Sequence, residues 1–329
     1  MKKLNLVEIV TEKEAQVVTH GGVFHADDVL ATVILAKLFQ QHNRNKEPLK
    51  VCREFKVSTD LPKDVIVYDI GGGKFDHHQK GGNGARENGV PYSSAGLIWR
   101  EGGKQLLQEV TDPSWELIGR ELVRMQSNPD SDLLWSMLDK DLIAPIDAVD
   151  NGVMPSLDYP CQEVTISRVI SGFNPTWDSD GSFDEAFMKA VAFMEQVFDN
   201  AVATALSKVK ANRIVENALF GAKGHVLVLD WYVPWQEALL TSENEAAKDI
   251  LFVVYPAVRG GYNWQCVPDA LGSFGQRKHV PQDWKGAPAE ELQRLTGVEG
   301  FTFCHPAGFL GACKTQEEAI RVATLAAEA

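Results

Sequence analysis

The chain reads as an α/β protein, with an N-terminal parallel-sheet domain, a helical connector and a smaller C-terminal α/β domain. Three observations predict this. Short apolar runs of strand length alternate with runs of helical period through the first half. A helical pattern with few breakers covers residues 183–219, and strand-like runs resume at residue 225. Such alternation makes a parallel sheet with helices packed on its faces. The expected domains are residues 1–180, 181–220 and 221–329, with the active-site cleft between the first and the last. A chain of 329 residues suits two domains better than one core.

Residues 15–19 (Ala-Gln-Val-Val-Thr) read as a short buried strand running into His20. Residues 29–41 place Leu30, Val33, Ile34 and Leu38 on one helix face, with Asp27 or Asp28 as its cap. Residues 49–52 are a second strand. The apolar run of residues 64–70 predicts a parallel strand covered on both faces, ended by Gly71-Gly72-Gly73. The glycine-rich stretch 80–89 reads as a mobile loop, and residues 94–147 as mainly helical. In the C-terminal part, residues 225–230, 250–255 and 264–267 look like strands. Residues 315–327 form a closing helix, with Thr315 and Glu318 in the spacing of a capping box.

With 44% hydrophobic and 23% charged residues the composition is that of a soluble globular protein. No apolar run reaches the roughly 18–20 residues of a membrane span. Glu8 and Glu12 break the apolar stretch after Lys2 and Lys3, so no signal peptide is expected. Cys52, Cys161, Cys266, Cys304 and Cys313 are scattered, odd in number and without a C-x-x-C pair, which predicts reduced thiols in the cytoplasm. A net charge of −13 argues against gripping long duplex DNA. It suits a small phosphorylated molecule or a short single strand in a confined groove. Nothing in the composition excludes a homo-oligomer.

The chemistry is concentrated where strands should end. His20 is followed by His25 and Asp27; Asp69 closes the strand 64–70; Asp76, His77 and His78 lie one short loop later; Asp147 and Asp150 follow a helix. Ligands in an open α/β sheet belong at the carboxyl ends of strands. Taken singly each has a plainer role, as a cap, a turn residue or a satisfied polar group. Together they offer more ligands than one catalytic ion needs. Two ions sharing a carboxylate, about 3.5–4 Å apart, are the usual device for phosphoryl displacement. Mixed imidazole and carboxylate donors favour Mn²⁺ ahead of Fe²⁺, Zn²⁺ or Mg²⁺.

In order and spacing, His20-x4-His25-x-Asp27, Val67-Tyr68-Asp69-Ile70-Gly71-Gly72, Phe75-Asp76-His77-His78-Gln79 and Asp147-Ala148-Val149-Asp150-Asn151-Gly152 resemble the DHH phosphoesterase superfamily. They are most similar to its melanocyte proliferating gene one (Myg) branch. Further matching stretches are Ser93-Ser94-Ala95-Gly96-Leu97-Ile98, Asn174-Pro175-Thr176-Trp177, Trp264-Gln265-Cys266-Val267-Pro268 and His305-Pro306-Ala307-Gly308-Phe309-Leu310-Gly311. The resemblance implies a DHH-type catalytic domain with a substrate-binding domain after it, and a metal-dependent 3′–5′ exonuclease on short single-stranded RNA. It implies that His20, His25 and Asp69 hold one metal, and that Asp27, Asp69, His77 and either Asp147 or Asp150 hold the second. Asp69 is then the bridge, and His78, beside Asp76, faces the scissile phosphate. His25 stands where the wider superfamily usually has an aspartate, and the triple-glycine-histidine signature of its substrate-binding domain is missing.

Substrate contacts are expected from Gly308 and Gly311, whose backbone would approach a phosphate, and from the neighbouring His305 and Lys314. Arg168 and the pair Arg277-Lys278 add cations, while Trp231, Trp235 and Trp264 serve as base-stacking or core residues. The alternative substrate is a small phosphorylated metabolite or a dinucleotide. An amidohydrolase would need a His-x-His pair, which is missing. A purely structural metal site would be closed and rich in cysteine.

Overall fold

The computed structural model describes residues 5–42, 47–111, 116–118, 121–123, 129–153, 161, 163–222 and 224–329. The chain divides into two compact units, Met1–Leu206 and Ser207–Ala329.

The first unit contains a four-stranded sheet of β1 (Val7–Ile9), β2 (Val17–His20), β3 (Leu49–Glu54) and β4 (Ile66–Val67), in the order β1-β3-β2-β4. Every pairing is parallel. Val17, Val18 and Thr19 of β2 are fully or almost fully buried, as a strand covered on both faces requires. Helix α1 (Ala26–His42) follows β2 and is buried nearly all round, through Val29, Leu30, Ala31, Val33, Ile34, Leu35 and Ala36. Helix α2 (Ser94–Thr111) follows the glycine-rich loop. A short antiparallel hairpin, β5 (Glu116–Ile118) and β6 (Glu121–Val123), precedes α3 (Pro129–Leu138). A π-helical turn, Asp139–Ile143, leads into α4 (Ala144–Asp150), and α5 (Ile166–Ser171) follows. The 39-residue helix α6 (Phe183–Gly221) begins in the first unit and ends in the second.

The second unit holds a five-stranded mixed sheet of β7 (Val226–Val228), β8 (Phe252–Pro256), β9 (Tyr262–Cys266), β10 (Phe301–Cys304) and β11 (Leu310–Cys313), in the order β10-β11-β9-β8-β7. Only β7 and β8 pair in parallel. Four helices accompany it: α7 (Trp235–Leu240), α8 (Ala246–Asp249), α9 (Ala289–Thr296) and α10 (Gln316–Glu328). Trp264 anchors the core, fully buried and edge-on to Phe252 and Phe301. Trp235 is also core, whereas Trp231 is exposed. The capping box is formed: Thr315 Oγ1 accepts the Glu318 N–H, and the Glu318 carboxylate accepts the Thr315 N–H.

The structure departs from the sequence reading in four places. Strands β1, β10 and β11 are three or four residues long and carry too little alternation to stand out. The run 64–70 contributes only Ile66 and Val67 to the ladder, because the backbone turns at Asp69. The stretch 94–147 contains a hairpin as well as helices; its residues 112–115, 119–120 and 124–128 lie outside those described. The loop 80–89 is tied down: Arg86 N–H donates to Val90 O, Tyr92 N–H to Gly84 O, and the Arg86 side chain reaches α4. Among the described residues no helix is long and apolar enough to cross a membrane.

Candidate metal centre

Parallel strands deliver their carboxyl ends to one edge, and β2 ends there on His20. β4 leads through Tyr68 into Asp69, the one non-glycine residue with positive φ (56°) among those described. Left-handed backbone is unfavourable for a residue with a Cβ, and such strain gathers at functional sites. The turn aims the Asp69 carboxylate at two sets of partners. Its Oδ2 lies 3.2 Å from His20 Nε2. Its Oδ1 lies 3.4 Å from Nδ1 of both His77 and His78 and accepts a 3.0 Å hydrogen bond from Ser94 Oγ.

Three overlapping groups have ligand atoms within 4.8 Å of one another: His20, Asp28 and Asp69; Asp27, His77 and Asp150; and Asp69, Asp76, His77 and His78. Asp28 was expected only as a helix cap, and its Oδ1 does accept the His25 N–H at 2.8 Å. Its other oxygen, Oδ2, is buried without a hydrogen-bond partner and sits 3.3 Å from His20 Nε2. His25 is exposed and belongs to none of the three groups, its ring centroid 6.1 Å from that of His20. Burying the Asp28 carboxylate is costly, and in the metal-free protein only the charged His20 imidazole offsets it at Oδ2. A divalent cation, matched by this oxygen-and-nitrogen donor set, would remove that cost.

The N-terminus of α2 shapes the other side. Asp27 accepts the N–H groups of Ser94 at 3.0 Å and Ala95 at 2.7 Å, where the helix dipole favours negative charge. Asp147 accepts the Gly96 N–H at 3.0 Å and Arg86 Nη1 at 2.7 Å. Ser93 Oγ contacts both carboxylates. One hydroxyl proton serves only one of them at a time, and both carboxyls are shifted toward the protonated form. Burial indeed pushes the pKa of Asp147 up to about 6, against the opposing pull of Ser93 and Arg86. Burial, then the charges of Asp69, Asp150 and Asp147, pushes Asp27 well above the carboxylate range. Burial likewise raises Asp28. Gly96 is obligatory here: a Cβ on it would lie 1.8 Å from Asp147 Oδ2.

The imidazoles respond in the opposite sense. Burial alone would lower the His20 pKa, but Asp28 and Asp69 outweigh it and raise it to about 10. His77 Nε2 lies 2.9 Å from Asp150 Oδ2; burial opposes its charge, and Asp150 with Asp69 raises its pKa. Asp147 therefore has its oxygens occupied by Arg86, Ser93 and Gly96, while Asp150 faces His77.

Asp76, expected beside the catalytic His78, is engaged by the chain's own donors. It is buried; Oδ2 accepts the Gly72 N–H at 2.6 Å, and Oδ1 accepts the His78 N–H at 2.9 Å and lies 3.0 Å from His78 Nδ1. Burial disfavours its charge, but these donors prevail and lower its pKa. Asp76 thus positions His78, whose side chain is 60% exposed.

Arg86 and Asp139 escaped the sequence reading, and Ser93 entered it only within a family-matching stretch, with no role at the site. Arg86 makes a two-pronged contact with Asp139, at 2.7 Å to each oxygen, besides its bond to Asp147. It stacks on Tyr92 at 4.4 Å. An arginine among glycines looks solvated in sequence; only the pairing of Ser93-Ser94 with a following apolar run gave a local sign, that of a helix start.

The substrate candidates of the second unit have mostly structural roles. Arg277 Nη1 donates to the carbonyls of Ala247 in α8 at 2.6 Å and of Ile250 just after it at 3.0 Å. Gly308, at φ 76°, closes a turn by donating to His305 O at 2.7 Å. Gly311 sits in the ladder, where a Cβ would lie 2.2 Å from the Trp264 ring. His305 Nδ1 accepts the Ala307 N–H and its ring packs 4.5 Å from Phe309. Lys278 is half-buried and Lys314 exposed. In the first unit, Arg168 is exposed near Glu163 O at 3.5 Å.

Residues 16–327 match the model of an uncharacterised protein family (UPF0160), MYG1_exonuc. The chain belongs to this family. Among its relatives, the MYG1 protein of Dictyostelium discoideum is 31% identical over 328 residues, covering 93% of this chain and 94% of that one. The MYG1 protein of Saccharomyces cerevisiae is 29% identical over 347 residues and 99% of both chains. The MYG1 exonuclease of Homo sapiens is 29% identical over 332 residues, 93% of this chain and 84% of its own. No solved structure matches the chain.

Proposed function

We propose that this protein is a metal-dependent phosphodiesterase acting as an exonuclease on short single-stranded RNA. The observation that carries the reading is Asp69, which presents its two oxygens to different imidazole and carboxylate groups, as a carboxylate bridging two ions must. The name MYG1 exonuclease borne by the human relative supports a nucleic-acid substrate, and the motif order supports membership of the DHH superfamily; 3′–5′ polarity is part of the proposal. The scattered cysteines support a cytoplasmic setting.

His20, Asp28 and Asp69 would hold one ion, and Asp69, Asp27, His77 and Asp150 the other, with Mn²⁺ preferred. When bound, the ions would polarise a water and neutralise charge on the phosphoryl oxygens. The protein's own groups do the rest. Asp76 holds the Nδ1 side of His78, leaving Nε2 to give a proton to the departing oxygen. Ser93 and the first N–H groups of α2 orient Asp27. Arg86 balances Asp147, which holds Ser93 from the other side. The net charge of −13 favours a second substrate class, dinucleotides and other small phosphodiesters.

Purified protein with Mn²⁺ would be offered a labelled oligoribonucleotide, a dinucleotide, pyrophosphate and a chromogenic phosphodiester. Cleavage of the first, one nucleotide at a time, is expected; metal bound with no substrate cleaved refutes the proposal.

A further inference from the structure

The sheet of the second unit buries both faces, and one of them carries polar groups that packing does not explain. β8 and β9 pair antiparallel, with Val253 opposite Gln265 and Tyr255 opposite Asn263. Side chains alternate between faces along a strand. Phe252, Val254 and Trp264 therefore join one core, while Val253 and Tyr255 join another with Ala211 and Val215 of α6. Gln265 shares that second face. A cavity of about 310 Å³ opens there, lined among others by Lys208, Asn212, Tyr232, Trp235, Tyr255 and Gln265. Every residue lining it belongs to the second unit. Its volume lies at the small end of the roughly 300–1,000 Å³ typical of ligand sites.

Tyr255 OH donates to Gln265 Oε1 at 2.7 Å, which fixes that amide and leaves its Nε2 as a donor. Asn212, one turn of α6 beyond Lys208, is half-buried and has no hydrogen-bond partner among the described residues. Its amide offers a donor and an acceptor side by side. Tyr232 is 58% exposed, and the buried Tyr255 ring holds it at a centroid distance of 5.2 Å and a tilt of 60°. Lys208 and Glu237, the two charged side chains lining the cavity among the described residues, pair at 3.1 Å. With its cation already matched, the cavity suits a neutral ligand and gives a phosphate little. An open aromatic ring beside amides is the equipment that reads a base: the ring stacks on its π-face, and an Asn or Gln amide pairs with the amino group and ring nitrogen of adenine. Guanine presents two acceptors on that edge and calls for a cation instead.

We infer that this cavity is a binding site for the adenine base of an uncharged nucleoside. The site lies within the second unit and does not depend on the phosphodiesterase reading. Adenosine has no phosphoester to cleave, so either can fail alone. The full chain with Mn²⁺ is titrated with adenosine by isothermal calorimetry, and in parallel with inosine, adenosine 5′-monophosphate and ribose. One adenosine per chain is expected. Inosine, with an oxygen in place of the amino group, should bind about 5- to 100-fold more weakly. The monophosphate should bind no more tightly than adenosine, and ribose should give no heat. Asn212→Ala should bring adenosine down to the inosine level. Tyr232→Ala should weaken both nucleosides by about 5- to 100-fold, and Tyr232→Phe, which keeps the ring, should not. Tm and Mn²⁺ affinity should stay at wild-type values in all three variants, showing both units intact. No heat with adenosine, equal binding of inosine, or a preference for adenosine that survives Asn212→Ala would overturn the site. Tighter binding of the monophosphate would overturn it too, by revealing a free cation, and ribose binding as well as adenosine would make it a sugar site.

Discussion

Arg86→Met would remove the cation that Asp147 and Asp139 share. The Arg86 side chain is 7% exposed and that of Asp147 fully buried, so solvent screening does little to soften the loss. Breaking such a buried pair by deleting one partner costs about 3–5 kcal/mol, because the remaining charge is left uncompensated. For a unit the size of Met1–Leu206, each kcal/mol shifts Tm by roughly 2–4 °C, so a fall of roughly 6–20 °C is expected in differential scanning calorimetry. Asp147→Asn added to Arg86→Met should recover about 1–3 kcal/mol of it, as a coupled pair requires. Mn²⁺ affinity should drop as well, since Asp147 reaches Asp27 through Ser93. A Tm within about 2 °C of wild type, or a double variant that merely sums its parts, would refute the network.

Asp69→Asn should abolish Mn²⁺ binding and turnover together while the metal-free Tm holds; calorimetric titration showing wild-type affinity would remove the bridge. Gly96→Ala drives a methyl into the pinned Asp147 carboxylate and should cost roughly 4 kcal/mol or more, seen as a collapse of soluble yield or of the urea midpoint. His78→Ala should lower kcat by about 10²- to 10⁴-fold with Mn²⁺ affinity retained; lost affinity would make His78 a ligand instead. Stability of the metal-free protein should fall as pH rises from 5 to 9. Asp147 has a folded pKa of about 6 against 3.8 unfolded, so the folded state holds the extra proton, and the roughly 3 kcal/mol it contributes is lost between those two values, about 1–2 kcal/mol of it above pH 5. The raised pKa values of Asp27 and Asp28 act in the same sense, and His20 extends the loss from 6.5 to about 10. The lowered Asp76 acts only toward acid. Mn²⁺ should flatten the profile, and a metal-free Tm that rises between pH 5 and 8 would contradict it.

Much of this molecule is written locally. The apolar strand before His20, the run of α6 and the capping box of α10 depend on neighbours a few residues away, and periodicity or a cap reveals them. The kinds of metal-seeking group and their order along the chain were equally legible, because strand ends of a parallel sheet must meet at one edge. Which oxygen of which carboxylate faces inward was not. Asp28 takes a place in the first group and His25 does not, because Asp28 is buried in the first turn of α1 while His25, just before the helix, is exposed. Asp150 faces His77 while Asp147 is held by Arg86, Ser93 and Gly96, from 51 to 61 positions earlier in the chain. Gly308 and Gly311 look alike in sequence to phosphate-binding glycines, yet one closes a turn and the other clears the Trp264 ring. The sequence by itself determined the chemistry available at that edge, since residue type and spacing are covalent facts. The tertiary structure alone decided which of these groups come together and which are held by other partners, because hydrogen-bond satisfaction in a buried site is settled by partners that only folding brings within reach.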